Sequence, residues 1–324
     1  MMTEKRPTSR SRQERMSTSS DGRAHASSDI RVLTFDLEDW FHLLDLPQTA
    51  DHTAWPGFES RFQRNLALIL EALEQLDQPA TFFCLGWIAR KFPKEIRKIA
   101  ELGHEVGSHS MVHSLVYRQT PAAFADEVRE SKDLLEQVIG GRVRAYRAPG
   151  FSITGATPWA FDILASQGFE IDSSVFPAPR AHGGLPGFDH ATPHWIDTPS
   201  GALKSFPMNT RKIAGQRLVF TGGGYFRLIP GFLLERWVGD TAYVMTYFHP
   251  RDFDPGQPVL EGLSAIRRFK AYVGLRGALP KLERLLERYQ FTDLAGADRH
   301  VDWAAAPRVF VADEVHGDPR CLPD

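Results

Sequence analysis

The sequence predicts an α/β fold of parallel strands covered by helices, on the scale of a barrel, from three observations. Short apolar runs alternate with amphipathic stretches of helical period along most of the chain. The apolar runs repeatedly end in polar or charged residues, as strands do whose C-terminal tips carry chemistry. About six to seven such β/α units fit within the 324 residues, a barrel-like number.

Residues 30–35 form a branched and aromatic run that reads as a buried strand. It ends in Asp36, Glu38 and Asp39, three carboxylates within four residues. Like charges this close repel, and a buried carboxylate must be paired, protonated or bound to a metal. A loop follows at 43–57. Phe62, Leu66, Ile69, Leu70 and Leu73 then mark an amphipathic helix within 58–76. Residues 80–85 read as a strand, 93–102 as a helix stopped by Gly103, and 105–106 as a strand running into Gly107-Ser108-His109. Thr120-Pro121 is a hydroxyl N-cap with proline at the first helical position, and that helix runs to Ile139 before Gly140-Gly141. A strand at 143–146 ends in Arg147; a helix at 157–167 leads to a strand at 169–171 and then Asp172-Ser173-Ser174. The Pro-, Gly- and His-rich excursion 177–193 is too long for a plain connector and is expected to be a lid or binding loop. Strand-like pieces are expected at Ile196, 203–206 and 221–226, then a strand at 243–248 ending in His249-Pro250. Residues 260–290 read as largely helical.

No linker or repeat divides the chain, so one catalytic domain is expected over 30–295, with a C-terminal tail at 296–324. Residues 1–29 are basic, rich in Ser, Arg and Thr, and too poor in apolar side chains to offset the entropy of ordering. A disordered tail is expected there. It has no apolar segment of the kind a secretory signal needs, so a cytoplasmic protein is the expectation. Lys and Arg number 38 against 40 Asp and Glu, and this near balance announces no nucleic-acid or anionic-membrane partner. The most apolar helical stretch, 66–76, is broken by Glu71 and Glu74, so no integral membrane segment is expected. Cys84 and Cys321 form no C-x-x-C pair, which argues against a disulfide framework or a cysteine-based zinc site.

His109 and His113 stand four apart, a spacing that on a helical turn puts both imidazoles on one face within reach of one metal ion. His104-Glu105 followed by His109 misses the H-E-x-x-H protease spacing by one residue, and Gly103 and Gly107 oppose a helix there. A guanidinium such as Arg147 at a neighbouring strand end fixes the orientation of a carboxylate. A lone histidine at a strand end, such as His249 after the last apolar strand, is more often structural, but one placed over a metal-bound intermediate can act as a general acid. The Gly222–Gly224 run lacks nucleotide-binding spacing and a following helix, and reads as a sharp bend or a close approach to ligand.

Four ordered motifs then carry a resemblance. T-F-D-x-E-D at Thr34 to Asp39, S-H-S-x-x-H at Ser108 to His113, R-A-P-G-F at Arg147 to Phe151 and Y-F-H-P at Tyr247 to Pro250 resemble the successive motifs of the polysaccharide deacetylases (NodB-homology, carbohydrate esterase family 4). D-S-S at Asp172 to Ser174, G-G-G-Y-F at Gly222 to Phe226 and R-R-F-K-A-Y-V-G at Arg267 to Gly274 are similar to the branch found in exopolysaccharide and O-antigen gene clusters. The resemblance implies a distorted (β/α) barrel of about seven strands and a divalent metal, most often zinc, held by two histidines and a carboxylate. Carried over by position, His109 and His113 are metal ligands, Asp36 the general base, His249 the general acid and Arg147 the group that orients the base. Pro149 and Phe151 lie by the position whose backbone N–H helps bind the oxyanion, and Asp172, Gly223 and Tyr225 stand in the branch motifs on the substrate side. One departure is plain: many members have two adjacent Asp residues, whereas Leu37 intervenes here, so Glu38 and Asp39 are both candidates for the metal carboxylate.

The implied reaction removes an acetyl or formyl group from an N-acylated amino sugar, nucleotide-linked, lipid-linked or in an oligosaccharide, during surface-polysaccharide or O-antigen assembly. The alternatives are a non-sugar amide hydrolase of allantoinase-like type and a metal-free carbohydrate-binding pseudoenzyme.

Overall fold

The structure is a computed structural model and describes residues 29–310 apart from 44–48, 50, 181, 187, 189 and 214. The expected N-terminal tail, Asp29 excepted, and residues 311–324 lie outside the described residues.

Strands β1 (Ile30–Val32) and β2 (Thr34–Leu37) form one broken line. They are followed by β3 (Thr81–Cys84), β4 (Glu105–Ser108), β5 (Ala145–Tyr146), β6 (Ile171–Asp172), β7 (His194–Thr198) and β8 (Gly201–Ser205). After the small hairpin β9 (Arg211–Ile213) and β10 (Gln216–Leu218) come β11 (Tyr243–Met245) and β12 (Arg308–Val309). In the main sheet β2, β3, β4, β5, β6 and β8 lie side by side and parallel, with β7 antiparallel to β8 and β12 at the far edge. Beyond β2, β1 pairs in parallel with β11, and the pairing runs on to Phe248, whose carbonyl accepts from Asp36 N–H at 2.7 Å. Gly222 bridges Tyr247 on the next flank. The sheet therefore curls round until the end of β8 faces the β11 line. Side chains span that seam: Asn209 Oδ1 accepts from Met245 N–H (2.8 Å) and from the Thr221 hydroxyl (3.4 Å), and the Tyr243 hydroxyl donates to the Pro207 carbonyl (2.8 Å). The α/β fold with its parallel strand order is as expected; at this seam, among the described residues, side-chain bonds stand where a closed barrel would have a ladder.

β2 and β3 are buried along their whole length because both faces of the sheet are covered there. Alternation along β3 sends Phe82 and Cys84 to the core under the helices and Phe83 to the interior core with Val32, Ile171, Phe206 and Met245. The outer layer is built from α1 (Phe62–Gln75), α2 (Gly86–Lys91), α3 (Pro93–Glu101), α4 (Pro121–Ile139) and α5 (Trp159–Ser166). It continues through α6 (Gly223–Leu228), α7 (Gly231–Gly239), α8 (Ala265–Tyr272), α9 (Ala278–Arg288) and α10 (Leu294–His300). Thr120 caps α4 as its sequence predicts, its hydroxyl accepting from Ala123 N–H, and Gly140 closes the helix in the left-handed region at φ 67°.

Three expectations are corrected. The 221–226 stretch is not a strand: Gly223 opens α6, so the glycine run does precede a helix. The helix α2 was not foreseen, because six residues beginning at a glycine give almost no periodic signal. The expected tail at 296–324 begins inside the folded unit, since α10 and β12 extend it to residue 310, with β12 pairing on β7.

At the N-terminal end of the sheet Glu105 ties three elements together. Its Oε2 accepts from the Thr81 hydroxyl (2.7 Å) and from Ala295 N–H in α10 (3.0 Å), and burial pushes its carboxyl up to about 7. A carboxyl raised in the folded state favours folding most below its unfolded value and loses that contribution as pH rises through about 7. Urea unfolding is therefore expected to show stability falling by up to about 3 kcal/mol between pH 5 and pH 8.5 from this group. Glu105→Gln, which keeps an acceptor for both donors, should flatten that slope; an unchanged slope would contradict the assignment.

Candidate metal and catalytic centre

Every group of the centre lies at or just past the C-terminal end of a parallel strand. Asp36 lies on β2 and Glu38 just past it, His109 follows β4, Arg147 follows β5, and His249 ends the continuation of β11. Glu38, His109 and His113, all buried, place one ligand atom each within 4.8 Å of one another, the single group of three such donors among the described residues. Glu38 Oε1 is 3.2 Å from His109 Nε2 and 2.8 Å from His113 Nε2. The His109 Nδ1–H donates to the Arg147 carbonyl at 2.7 Å, which fixes the tautomer and turns the Nε2 lone pair toward Glu38. His113 Nε2 is buried with no hydrogen-bond partner, close to Glu38 but outside hydrogen-bond geometry. Two imidazoles and a carboxylate with an orphaned ring nitrogen among them fit a divalent metal. Burial opposes the charge on Glu38, yet the imidazoles of His113 and His249 outweigh it and hold the carboxyl well below the usual range.

The two histidines meet, but not on a helical turn as their spacing suggested. Ser110 (φ 70°) and His113 (φ 60°) are left-handed, which no α-turn allows. The loop is held from outside. Gly86 and Trp87, opening α2, donate their N–H groups to the Ser110 and Met111 carbonyls, and Glu127 Oε1 accepts from Met111 and Val112 N–H. A Cβ on Gly86 would stand 2.1 Å from Met111 Sδ, so only glycine lets the helix approach this closely. Of the four non-glycine residues with positive φ among those described, Ser110, His113 and Phe151 surround the centre, the pattern of strain concentrated at a functional site.

The structure separates the two carboxylates left open by the sequence. Asp39 turns away from the histidines and accepts from Trp40 N–H (2.8 Å), the Ser60 hydroxyl (2.5 Å), Arg61 N–H (3.1 Å) and Phe62 N–H (3.3 Å). It thereby serves the free N–H groups at the start of α1. Glu38 alone joins the histidines.

Asp36 is buried, and its Oδ1 accepts from Arg147 Nη1 at 2.7 Å. The Arg147 guanidinium is wholly buried and fully used: Nη1 also reaches the Thr34 hydroxyl (2.7 Å), Nε the Ser173 carbonyl (3.2 Å) and Nη2 the Ser173 hydroxyl (2.9 Å). Its carbon lies 4.2 Å from the centre of the Phe83 ring. His249 Nδ1 is 3.2 Å from Asp252 Oδ2, and its Nε2 points to Glu38 Oε1 at 3.7 Å. Burial alone would lower the His249 imidazole, but Glu38 and Asp252 overcome it and hold it at about 9.

A cavity of about 350 Å³ opens over Glu38 and His249, walled by Arg180, Gly223 and Tyr247. A larger hollow of about 470 Å³ by Pro255, Tyr272 and Arg276 contains none of the catalytic candidates. The remaining predicted residues divide. Gly223 lines the cavity at φ 51°. Tyr225 does not line it and is exposed on α6. Asp172 does not face substrate: it is fully buried, accepts from Ser174 N–H (3.0 Å) and supports the turn that holds Arg147, with burial pushing its carboxyl up to about 6. Pro149 is buried in the turn after Arg147, and Phe151 spends its N–H on the Ala148 carbonyl at 3.0 Å, so that donor is not directed at an oxyanion.

Two site residues escaped sequence reasoning. Asp252 was legible in principle, since it stands three residues after His249. Arg180 was not. It lies within the 177–193 excursion, its guanidinium carbon 4.8 Å from the rings of both Phe151 and Phe176, with Nη1 buried and lacking a hydrogen-bond partner.

Parts of the chain are similar to known proteins. A family model described as polysaccharide deacetylase matches residues 47–170, and one described as a domain of unknown function (DUF3473) matches 173–298. The chain is 30% identical over 118 residues to a peptidoglycan-N-acetylglucosamine deacetylase of Bacillus cereus, spanning 36% of this chain and 43% of that protein. It is 34% identical over 100 residues to a chitooligosaccharide deacetylase of a Bradyrhizobium strain, 31% of this chain and 43% of the relative. The chain thus spans less than half the length of these curated relatives. Among solved structures it superposes on a Mycobacterium smegmatis protein whose assignment as a polysaccharide deacetylase is itself provisional, with TM-score 0.59 and 19% identity over 89% of this chain and 96% of that one. The PuuE allantoinase shares the fold at TM-score 0.57 and 14% identity, over 85% and 90% of the two chains. Residues 47–170 thus match the polysaccharide deacetylases, and the chain shares the α/β fold of the Mycobacterium smegmatis structure.

Proposed function

We propose that this protein is a metal-dependent hydrolase that removes an N-acyl group, acetyl or formyl, from an amino sugar in surface-polysaccharide assembly. The observation that carries the reading is the meeting of Glu38, His109 and His113 between a carboxylate clamped by arginine and a histidine clamped by carboxylate. The curated relatives named for deacetylating peptidoglycan N-acetylglucosamine or chitooligosaccharides support an N-acetyl sugar as substrate. The polysaccharide-assembly setting rests on the Asp172–Ser174, Gly222–Phe226 and Arg267–Gly274 motifs.

Glu38, His109 and His113 would hold the cation, and their donor set suits Zn²⁺. When bound, a divalent ion supplies Lewis-acid polarisation and lowers the pKa of water. Asp36, fixed by Arg147, takes the proton from the attacking water. The carbonyl carbon gains that oxygen and then releases the nitrogen. His249, held protonated by Asp252, gives its proton to the departing amine, so the products are a free amino sugar and a short carboxylic acid. Arg180 lies on the cavity wall, where its guanidinium charge faces an oxygen-rich substrate. A metal-free binding module would need neither the proton acceptor nor the proton donor, which weighs against the pseudoenzyme alternative.

The test is hydrolysis of N-acetylated chitooligosaccharides and nucleotide-linked N-acetyl sugars by the purified protein, followed by mass spectrometry. Chelator should stop turnover and Zn²⁺ should restore it. His249→Ala should slow amide cleavage by about 10²- to 10⁴-fold, and far less for an aryl ester whose leaving group departs without a proton. Turnover that survives complete metal removal would sink the reading.

A further inference from the structure

Helix α8 is amphipathic, yet none of its residues is buried. Ile266 and Phe269 stand on one face, 70% and 56% exposed. The helix is fixed by its ends instead: Ser264 accepts from Arg267 N–H at the N-terminus, and Arg227 donates to the Lys270 and Ala271 carbonyls at the C-terminus, 2.9 Å each. A helix held by its caps with its apolar stripe turned outward is poised for a partner. The neighbouring elements extend the surface. Helix α6, packed on α8, exposes Tyr225 and Leu228, and α7 begins with Phe232, 76% exposed.

Charge selects the partner. Between Glu261 and Glu283 the exposed charged side chains are all basic, Arg267, Arg268, Lys270 and Arg276, in a chain whose net charge is −2; Lys281 is spent on the Phe226, Arg227 and Ile229 carbonyls. Basic residues flanking exposed aromatic and aliphatic ones match an anionic lipid surface, where apolar side chains enter the acyl boundary and cations meet the headgroups. The same helix forms a wall of the cavity over Glu38 and His249 through Arg267, Lys270 and Ala271. We propose that the face made by α8 with α6 and the start of α7 docks on an anionic bilayer, bringing the cavity mouth to a membrane-borne, lipid-linked sugar. The docking stands on this surface alone; the lipid-linked substrate rests on the hydrolase reading.

The test is co-sedimentation of the full-length protein with phosphatidylcholine vesicles, with and without phosphatidylglycerol. Binding is expected with the anionic lipid, weakening as salt is raised. Arg268→Gln and Arg276→Gln should each lower the partition coefficient about fivefold. Ile266→Ser and Phe269→Ser should each lower it about tenfold, with unchanged thermal melting because both side chains are exposed. Absence of binding at low salt, equal binding by all variants, or a dimer that Phe269→Ser disperses without any vesicle binding would overturn the proposal. Binding needs no turnover: an active enzyme that ignores vesicles would remove the docking alone, and a docked protein that hydrolyses no amide would remove the hydrolase reading alone.

Discussion

Replacing Asp36 by Asn is expected to cut kcat for amide hydrolysis by about 10²- to 10⁴-fold, because the amide can keep a bond to Arg147 but cannot take a proton. Glu38, His109 and His113 are left intact, so on the proposed reading Zn²⁺ binding measured by calorimetry should stay near the wild-type value, and KM should move little. Stability will fall as well, since Arg147 keeps its charge in a fully buried place without the carboxylate. Kinetics are therefore to be compared well below the melting temperature of the variant. A variant with wild-type kcat would remove Asp36 from the mechanism and leave its contact with Arg147 as structural only.

The second large effect lies in the same pair, read as stability. Arg147→Met leaves Asp36 buried and unpaired, withdraws the bonds to Thr34, Asp36 and Ser173 and should cost about 3–5 kcal/mol in urea unfolding. Asp36→Asn combined with Arg147→Met should cost clearly less than the sum of the two single changes, because no charge is then stranded. Additive costs would mean the two residues do not interact as the 2.7 Å contact implies. Arg147→Lys separates charge from shape: one ammonium can meet Asp36 but cannot also reach Ser173, so activity should return only in part.

How far these residues were legible depends on how local their signals are. Asp36, His109, Arg147 and His249 each end an apolar run, and a strand end is a local property that periodicity and composition reveal. Helix α4 was legible for the same reason, with its Thr-Pro start and glycine stop. Short elements without periodic content, α2 and β12 among them, were not. The 221–226 stretch was misread as a strand because three glycines and two aromatics carry little helical propensity; packing of Phe226 into the core and the grip of Arg227 on α8 override it.

By itself the sequence determined the set of donors and their strand-end placement, since apolar runs that end in ionisable residues leave few other arrangements. It could not say whether Glu38 or Asp39 joins the histidines, for the two differ by one bond of chain direction. Tertiary structure decided that point by bringing the start of α1, more than twenty residues away, against Asp39, whose oxygens its unpaired N–H groups then occupy. It decided likewise that two left-handed residues, rather than a helical turn, aim His113, and that Arg180 from a distant loop enters the cavity. In each case the deciding interaction is a hydrogen bond or contact between segments remote in sequence, which no local pattern encodes.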